Sequence, residues 1–220
     1  HFEIDPAEVD KNVKTDVAVL GDVKESLAAL LPLVEAKSHE AWHNEFKEKY
    51  KIELESVIND ELNPKGEGIS MGETIEMINK HSNGDAIMVS DVGQHQMFTC
   101  RYSKFNQSKS NITSGGLGTM GFALPAAIGA KMGQPDREVV AIIGDGGFQM
   151  TFQELMMLKQ YNLPVKVIIL NNSFLGMVRQ WQEIFNEKRY SFVDLDHNPD
   201  FIKIGEAYGI KSVKIANKKD

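Results

Sequence analysis

The amino-acid sequence predicts an α/β fold built on a doubly wound parallel sheet, and two observations support this prediction. From about residue 68 onward, short apolar segments alternate with segments of helical periodicity, which is the pattern of parallel strands joined by helices. The segment VKVIIL (165–170) is apolar throughout instead of alternating. We therefore expect it to form a strand that is covered on both faces of the sheet.

Local patterns predict the individual elements. Ser70 is placed to cap a helix over 71–81, and Glu73 would complete a capping box. A later helix would align four apolar side chains on one side: Phe148, Phe152, Leu155 and Met156. The expected strands are at 86–90, 138–144, 165–170 and near 212–215, and the other expected helices are near 121–133, 148–161, 176–186 and 199–207.

The first part of the chain has a different character. Residues 16–34 indicate a strand, a Gly-Asp turn and a helix with an apolar face of Leu27, Leu30, Leu31 and Val34. One strand and one helix cannot enclose a core. We interpret 1–37 as the tail of a central domain, 38–67 as a charged helix and linker, and 68–220 as the main domain. We also expect the chain to be a piece of a longer protein, with its main domain truncated at the carboxyl end.

Composition limits the partners. The net charge of −7 argues against nucleic acid or an anionic membrane as the main partner. Cys100 is the single cysteine, so the chain can form neither an internal disulfide nor a thiolate zinc site. No uncharged apolar run reaches the roughly 18 residues of a membrane span, and no signal peptide opens the sequence. We expect a cytoplasmic bacterial protein with no membrane partner.

Two polar turns follow neighbouring strands. The residues Gly144, Asp145, Gly146 and Gly147 end one strand, and Asn171-Asn172 end the next. Ligands of such sheets bind at the carboxyl ends of the strands, so both turns would reach the same edge. The glycines remove side chains where the backbone approaches another group closely. The helix that follows would direct free N–H groups at a phosphate.

An acid next to a phosphate indicates a metal ion between them. Mg²⁺ prefers oxygen ligands, uses few carboxylates and completes its shell with phosphate oxygens and water. With a diphosphate of about −3, the metal and Asp145 leave a net charge of about −2, so a neutral amide adds a ligand without adding repulsion. The acid and the amide are therefore candidate ligands of one metal–diphosphate site. Each turn taken alone also fits ordinary loop chemistry.

The two turns together resemble the thiamine-diphosphate motif, and the surrounding sequence resembles the catalytic subunit of acetohydroxyacid synthase (acetolactate synthase). The chain departs from that family at Phe98, where tryptophan is expected, and in FNQSKSNI (105–112). The supporting segments cover most of residues 85–209: VGQHQM (92–97), TSGGLGTMGFALPAAIGA (113–130), GDGGFQMTFQEL (144–155), NNSFLGMVRQWQ (171–182) and NPDFIKIGEAYG (198–209).

The resemblance implies roles for the matching residues. Asp145, Asn172 and the backbone carbonyl of Phe174 would ligate Mg²⁺. Gln94 and His95 would contact the diphosphate. The remaining implied positions are Gly118, with its carbonyl toward the aminopyrimidine, Met120, which would hold the cofactor bent, the cleft residues Gly144, Gly146, Gly147, Gly176 and Met177, and Trp181, which would shape the pocket for the second 2-oxoacid.

Ordinary structural roles stay open for several of these residues. Met120 and Met177 could be core fillers, the commoner use of methionine. His95 could be a hydrogen-bonded structural histidine. Trp181 lies one helical turn after Met177, so a plain core contact is an alternative to a pocket role.

The resemblance also implies an activity. It indicates a thiamine-diphosphate- and Mg²⁺-dependent carboligase that joins a two-carbon unit from pyruvate to pyruvate or 2-oxobutanoate in branched-chain amino-acid biosynthesis. It further implies FAD, bound mainly outside these residues, a homo-oligomer (dimer or tetramer) and a regulatory subunit. The activating glutamate of the family belongs to an N-terminal domain, so we predict no catalytic residue in this span and expect these residues alone to be inactive.

Two alternatives remain at this point. One is a different thiamine-diphosphate enzyme, such as pyruvate oxidase or a 2-oxoacid decarboxylase. The other is a non-catalytic module that only binds a nucleotide or diphosphate.

Overall fold

The computed structural model describes residues 1–220, and the chain divides into two units, His1–Ile52 and Glu53–Asp220. The boundary lies inside the segment that the sequence analysis assigned to a charged helix and linker, and the domain assignment itself stays a prediction. None of the helices combines the length and the apolar character needed to cross a bilayer.

The first unit contains a short strand pair and two helices. Strands β1 (Phe2–Glu3) and β2 (Val19–Leu20) are parallel. The predicted Gly-Asp turn leads into α1 (Val23–Leu30), where the Asp22 side chain accepts two backbone hydrogen bonds from the first turn and so caps the helix. Helix α2 (Glu40–Glu53) follows. No residue of α1 or α2 is buried, so the apolar face predicted for α1 is exposed.

The second unit alternates helices and strands as predicted. All neighbouring strands of its sheet are parallel. After a π-helical turn (Leu54–Ile58), its elements are α3 (Asn59–Leu62), α4 (Met71–Ser82), β3 (Ile87–Ser90), α5 (Gln94–Tyr102), β4 (Asn111–Thr113), α6 (Ala123–Gly133), β5 (Val139–Gly144), α7 (Asp145–Thr151), α8 (Leu155–Gln160), β6 (Val165–Leu170), α9 (Gly176–Phe185) and α10 (Phe201–Ala207). The spatial order of the strands is β4-β3-β5-β6.

Alternation along β5 shows that the sheet is covered on both faces. Val139, Ala141 and Ile143 belong to a buried cluster that includes side chains of α6, α7 and α8. Val140 and Ile142 belong to a second buried cluster with side chains of α4 and α5. Successive side chains of a strand point to opposite faces, so helices flank the sheet on both sides. The predicted doubly wound α/β fold is confirmed.

The start of α4 forms only half of the predicted capping box. The Ser70 hydroxyl accepts a hydrogen bond from the Glu73 backbone N–H at 3.0 Å, as an N-cap should. The Glu73 carboxylate does not return to the cap. One of its oxygens lies 3.3 Å from Nζ of Lys218 instead.

The helix predicted over 148–161 was wrong in two respects. The helix begins earlier, at Asp145, and a 3-10 turn at Phe152–Glu154 separates α7 from α8. Thr151 adopts a non-helical conformation at the break, and its hydroxyl donates to the Gly121 carbonyl. The turn changes the rotation of the chain, since a 3-10 turn has fewer residues per turn than an α-helix. Met156 is exposed, whereas Phe148 and Leu155 are buried, so the predicted four-residue apolar face does not include Met156.

At the end of the sheet, one prediction is confirmed and one failed. Strand β6 forms where expected and is covered on both faces as predicted, because Val167 and Ile169 pack against the first buried cluster and Ile168 packs against the second. It is an edge strand, and its side chains are only partly buried. The strand predicted near 212–215 does not form, and residues 210–216 are irregular.

Candidate functional site

The two polar turns meet at one edge of the sheet, as predicted. Gly144 at the end of β5 is in register with Leu170 at the end of β6. The next residues, Asp145 and Asn171, therefore leave neighbouring strands at the same level. The Asn198 side chain connects them, because its Nδ2 donates to Oδ2 of Asp145 at 2.7 Å and to Oδ1 of Asn171 at 3.3 Å.

Asp145 is a buried carboxylate at the first position of α7. It is 1% exposed, and it accepts hydrogen bonds from the Asn198 side chain and from the backbone of Gly146 and Ser173. Burial raises the pKa of the carboxyl above its ordinary value, against the lowering effect of these donors. An N–H group of the first turn of α7, predicted to point at a phosphate, is thus already used by Asp145.

The turn after β6 is built by its own side chains. Oδ1 of Asn171 accepts from the Ser173 N–H at 3.0 Å, and Oδ1 of Asn172 accepts from the Phe174 N–H at 3.1 Å. Ser173 lies in the left-handed region with φ 60°. These are the local hydrogen bonds by which asparagine replaces a backbone turn. An amide oxygen has two lone pairs, so Asn172 keeps a site for a further ligand.

A second segment, at residues 194–195, contacts the turn after β6. The Ser173 carbonyl accepts from the Leu195 N–H at 2.8 Å, and a single antiparallel bridge joins Phe174 to Asp194. The Arg179 guanidinium stacks on the Phe174 ring at 4.1 Å, a favourable cation–π contact. The backbone around the Phe174 carbonyl is therefore fixed by contacts on several sides.

Gln94 joins the start of α5 to the turn after β6. Its Oε1 accepts from Nδ2 of Asn172 at 3.3 Å, and its Nε2 donates to Oε1 of Gln180 at 3.2 Å. A Cβ at Gly176 would collide with the Gln94 amide. A larger residue at the first position of α9 would therefore displace the Gln94 amide from Asn172.

His95 is buried and neutral. Its Nε2 accepts a hydrogen bond from the Gly144 N–H at 3.2 Å, and burial lowers the pKa of the imidazole to about 4, with Asp91 opposing the shift. A Cβ at Gly144 would lie 2.8 Å from Cε1 of the ring. The structure thus gives His95 a backbone partner, and its predicted contact with a diphosphate stays a prediction.

Asp91 and Asn198 are site residues that the sequence analysis missed. Asp91 follows β3 and is fully buried, and its carboxylate accepts from the N–H groups of Gly121 and Ala123 at 3.0 and 3.2 Å. A Cβ at Gly147 would collide with this carboxylate. The signal for Asp91 was its position directly after a strand, and the signal for Asn198 was its position just before a capped helix.

These elements enclose a cavity of about 160 Å³. It is also lined by residues without an assigned role, among them Met71, Val92 and Leu175. Trp181 does not line it. The Trp181 side chain is exposed, with its ring 5.0 Å from that of Phe185. The cavity brings together all the predicted cofactor and metal residues: Gln94, His95, Gly118, Met120, Gly144, Asp145, Gly146, Gly147, Asn172, Phe174, Gly176 and Met177.

The donors at this cavity fit a hard cation bound with a phosphate group. The candidate ligands are a carboxylate, an amide oxygen and a backbone carbonyl, all oxygen donors of the kind that Mg²⁺ takes. Asp145 is the single carboxylate among the lining residues, which leaves room for anionic oxygens of a ligand. A divalent cation would also favour the ionised form of this buried acid.

The edge where these turns meet is the place at which doubly wound α/β domains bind phosphate-containing ligands. Comparison with known families identifies the class of protein to which this chain belongs. Residues 91–220 match the family described as thiamine pyrophosphate enzyme, C-terminal TPP binding domain. The chain belongs to this family, which confirms the predicted thiamine-diphosphate domain.

Individual relatives agree with this assignment. The chain is 47% identical to the acetolactate synthase large subunit of Lactococcus lactis, over 100% of the chain and 37% of that protein. It is 40% identical to the acetolactate synthase isozyme 3 large subunit of Escherichia coli, over 99% of the chain and 38% of that protein. The chain thus spans little more than a third of the length of the curated relatives it matches.

A solved structure also resembles the chain. It is the thiamine diphosphate-dependent 4-hydroxybenzoylformate decarboxylase of Rhodococcus jostii RHA1. The TM-score is 0.65 and the sequence identity is 30%, over 70% of this chain and 29% of that one.

Proposed function

We propose that this chain holds the diphosphate end of thiamine diphosphate, with Mg²⁺, in an acetolactate synthase. The observation that carries the proposal is the 47% identity to an acetolactate synthase large subunit, which extends over the whole chain. The lining of one cavity by all the predicted cofactor residues supports it. The reaction would join a two-carbon unit from pyruvate to pyruvate or 2-oxobutanoate, a step of branched-chain amino-acid biosynthesis.

The chain's own residues would bind and orient the cofactor. Asp145 would supply the anionic ligand of Mg²⁺, and Asn172 and the Phe174 carbonyl would supply neutral ones. When bound, thiamine diphosphate would provide the group that stabilises the carbanion left by decarboxylation of a 2-oxoacid. The buried glycines Gly144 and Gly147 would fix the β5 turn by admitting His95 and Asp91 beside the backbone.

The wider properties of the enzyme belong to the same proposal. The two relatives are named large subunits, which supports the presence of a further, regulatory subunit in the enzyme. We propose a cytoplasmic homo-oligomer that takes small 2-oxoacids, with FAD held mainly by other parts of the enzyme. Trp181, exposed on α9, would shape the pocket for the second 2-oxoacid.

A 2-oxoacid decarboxylase is the second candidate, because the solved structure that resembles this chain carries that activity in its name. A product assay separates the two. The intact protein is incubated with pyruvate, thiamine diphosphate and Mg²⁺, and acetolactate and acetaldehyde are quantified. The proposal expects acetolactate as the main product. Acetaldehyde without acetolactate would favour the decarboxylase, and cofactor binding without any product would favour a non-catalytic module.

A further inference from the structure

The segment before α10 places one side chain between the two turns of the site. Asp200 caps α10 by accepting from the N–H groups of Ile202 and Lys203, and the Asn198 N–H donates to the Leu195 carbonyl at 3.1 Å. The Phe201 ring packs edge-on against Phe148 of α7, with centroids 5.5 Å apart. The backbone of Asn198 is therefore anchored both to its own turn and to the helix that carries Asp145.

Both the NH₂ group and the oxygen of the Asn198 side-chain amide form hydrogen bonds. Its NH₂ group donates to Asp145 at 2.7 Å and to Asn171 at 3.3 Å, and its oxygen accepts from Nε2 of Gln149 at 2.9 Å. The same Gln149 nitrogen also lies 3.2 Å from the Asp145 carbonyl. Gln149 therefore fixes which end of the amide faces the carboxylate, and the order Gln149, Asn198, Asp145 forms one hydrogen-bonded chain.

The Asn198 amide that donates to Asp145 is uncharged, and this distinguishes it from the other side chains that could stand at this position. An arginine or lysine at this position would also orient Asp145, but its positive charge would compete with a cation for the carboxylate. A second acid would repel Asp145. An amide supplies a directed hydrogen bond and leaves the full negative charge available, which is how outer hydrogen-bond partners orient the carboxylate ligands of metals.

We propose that Asn198 is a positioning residue, held by Gln149, which orients the Asp145 carboxylate toward a divalent cation and ties it to the turn after β6. This inference rests on the proposed function, since it needs Asp145 to bind the cation. It assigns a role to two residues that do not line the cavity and would not themselves contact the cofactor.

The test measures how much Mg²⁺ the intact protein needs to bind thiamine diphosphate. Calorimetric titrations with the cofactor at a series of Mg²⁺ concentrations give the half-saturating Mg²⁺ concentration for each variant. Asn198→Leu keeps the approximate side-chain size and removes the amide, and we expect it to raise that concentration about tenfold or more. Gln149→Leu, at an exposed position, should raise it a few-fold. The matched controls Asn186→Leu and Gln153→Leu change exposed amides that make no side-chain hydrogen bond, and they should leave it unchanged.

The outcomes separate the possible failures. A wild-type Mg²⁺ requirement in Asn198→Leu overturns the inference, and so does a lowered melting temperature of that variant with an unchanged Mg²⁺ requirement, which would make Asn198 a structural residue. If Asn198→Leu does not fold, the test rests on Gln149→Leu. A half-saturating Mg²⁺ concentration equal to that of Gln153→Leu then overturns the inference. Wild-type protein that binds no thiamine diphosphate in Mg²⁺ refutes the proposed function, and this inference with it.

Discussion

The turn after β5 and the turn after β6 lie side by side at one edge of the sheet, yet they are stabilised in different ways. The first holds Asp145, an acid removed from water whose pKa is raised by burial. The second holds Asn171 and Asn172, neutral amides that remain partly or fully accessible and bond to the N–H groups of their own turn. The asparagines of the turn after β6 are neutral and bonded within their own turn and to neighbouring segments, whereas the turn after β5 holds a buried acid whose hydrogen-bond donors are all neutral.

This difference indicates which turn depends on a ligand. Burying an ionised carboxylate is costly unless a counter-charge compensates it, and the donors around Asp145 are neutral. A cation at this edge would supply the compensation. The asparagines need none, so they can preserve the shape of the site in the absence of metal. Changes at the β5 turn should therefore affect metal-dependent binding far more than equivalent changes at the β6 turn.

The largest expected effect on cofactor binding is that of Asp145→Ala. The variant loses the single carboxylate of the cavity lining, so Mg²⁺-dependent binding of thiamine diphosphate should fall by about 100-fold or more, equivalent to about 2.7 kcal/mol. Calorimetric titration of the folded variant measures this. Unchanged cofactor affinity with an intact circular-dichroism spectrum would remove Asp145 from the metal site.

A second prediction concerns His95, which supports the β5 turn through Gly144. The pKa of the folded state is about 4, below the ordinary value near 6.5, so the unfolded chain takes up a proton first as the pH falls. Stability should therefore decline from about pH 6.5 and reach its full loss near pH 4, at about 3 kcal/mol. His95→Gln, which can still accept from the Gly144 N–H, should lack this loss.

Denaturant unfolding of both proteins at pH 7, 5.5 and 4 measures the difference between them. Groups that titrate independently of His95 are common to the two proteins and cancel in the comparison. Parallel pH dependences would show that the imidazole is not buried in its neutral form.

A smaller effect is expected at the β6 turn. Asn172→Ala removes a neutral ligand and no charge, so the affinity for thiamine diphosphate in Mg²⁺ should fall about tenfold, or about 1.4 kcal/mol. Asn186→Ala at the end of α9 is the control, because that amide is exposed and makes no side-chain hydrogen bond. A loss as large as that of Asp145→Ala would contradict the proposed difference between the turns.

The smallest effect is expected further from the turns, at Trp181. The extra methylene of 2-oxobutanoate over pyruvate would gain about 1 kcal/mol from the indole, a preference of roughly five- to tenfold. Trp181→Leu should reduce that preference and leave cofactor binding intact. A competition assay with both oxoacids measures it, and a melting curve on the same sample tests the alternative of a packing role. A stable variant with full 2-oxobutanoate preference would exclude Trp181 from the pocket.

Much of the fold could be predicted because its signals are local. The Ser70 cap, the apolar run of β5 and the Gly-Asp turn before α1 each follow from neighbouring residues, and each is present. The failures depend on distant partners. Sequence could not show that residues 212–215 would stay irregular, nor that the Thr151 hydroxyl would bond to Gly121 where the helix is broken.

The residues of the candidate site also divide into those with local sequence signals and those that depend on distant partners. Asp145, Asn172 and the glycines belong to short motifs at strand ends, so a pattern could identify them. Asn198 joins residues far from it in sequence, and its position just before a capped helix does not show that its amide reaches Asp145. Asp91 is similar, because its partners at Gly121 and Ala123 become visible only in the folded chain.

The central claim is that this edge of the sheet binds a diphosphate through a divalent cation. The most direct test is calorimetric titration of the intact protein with thiamine diphosphate, once with Mg²⁺ and once with a chelator. The account predicts saturable binding with Mg²⁺ and a loss of that binding in the chelator, restored when Mg²⁺ is added back. Equal binding under both conditions, or no binding with Mg²⁺ present, would contradict it.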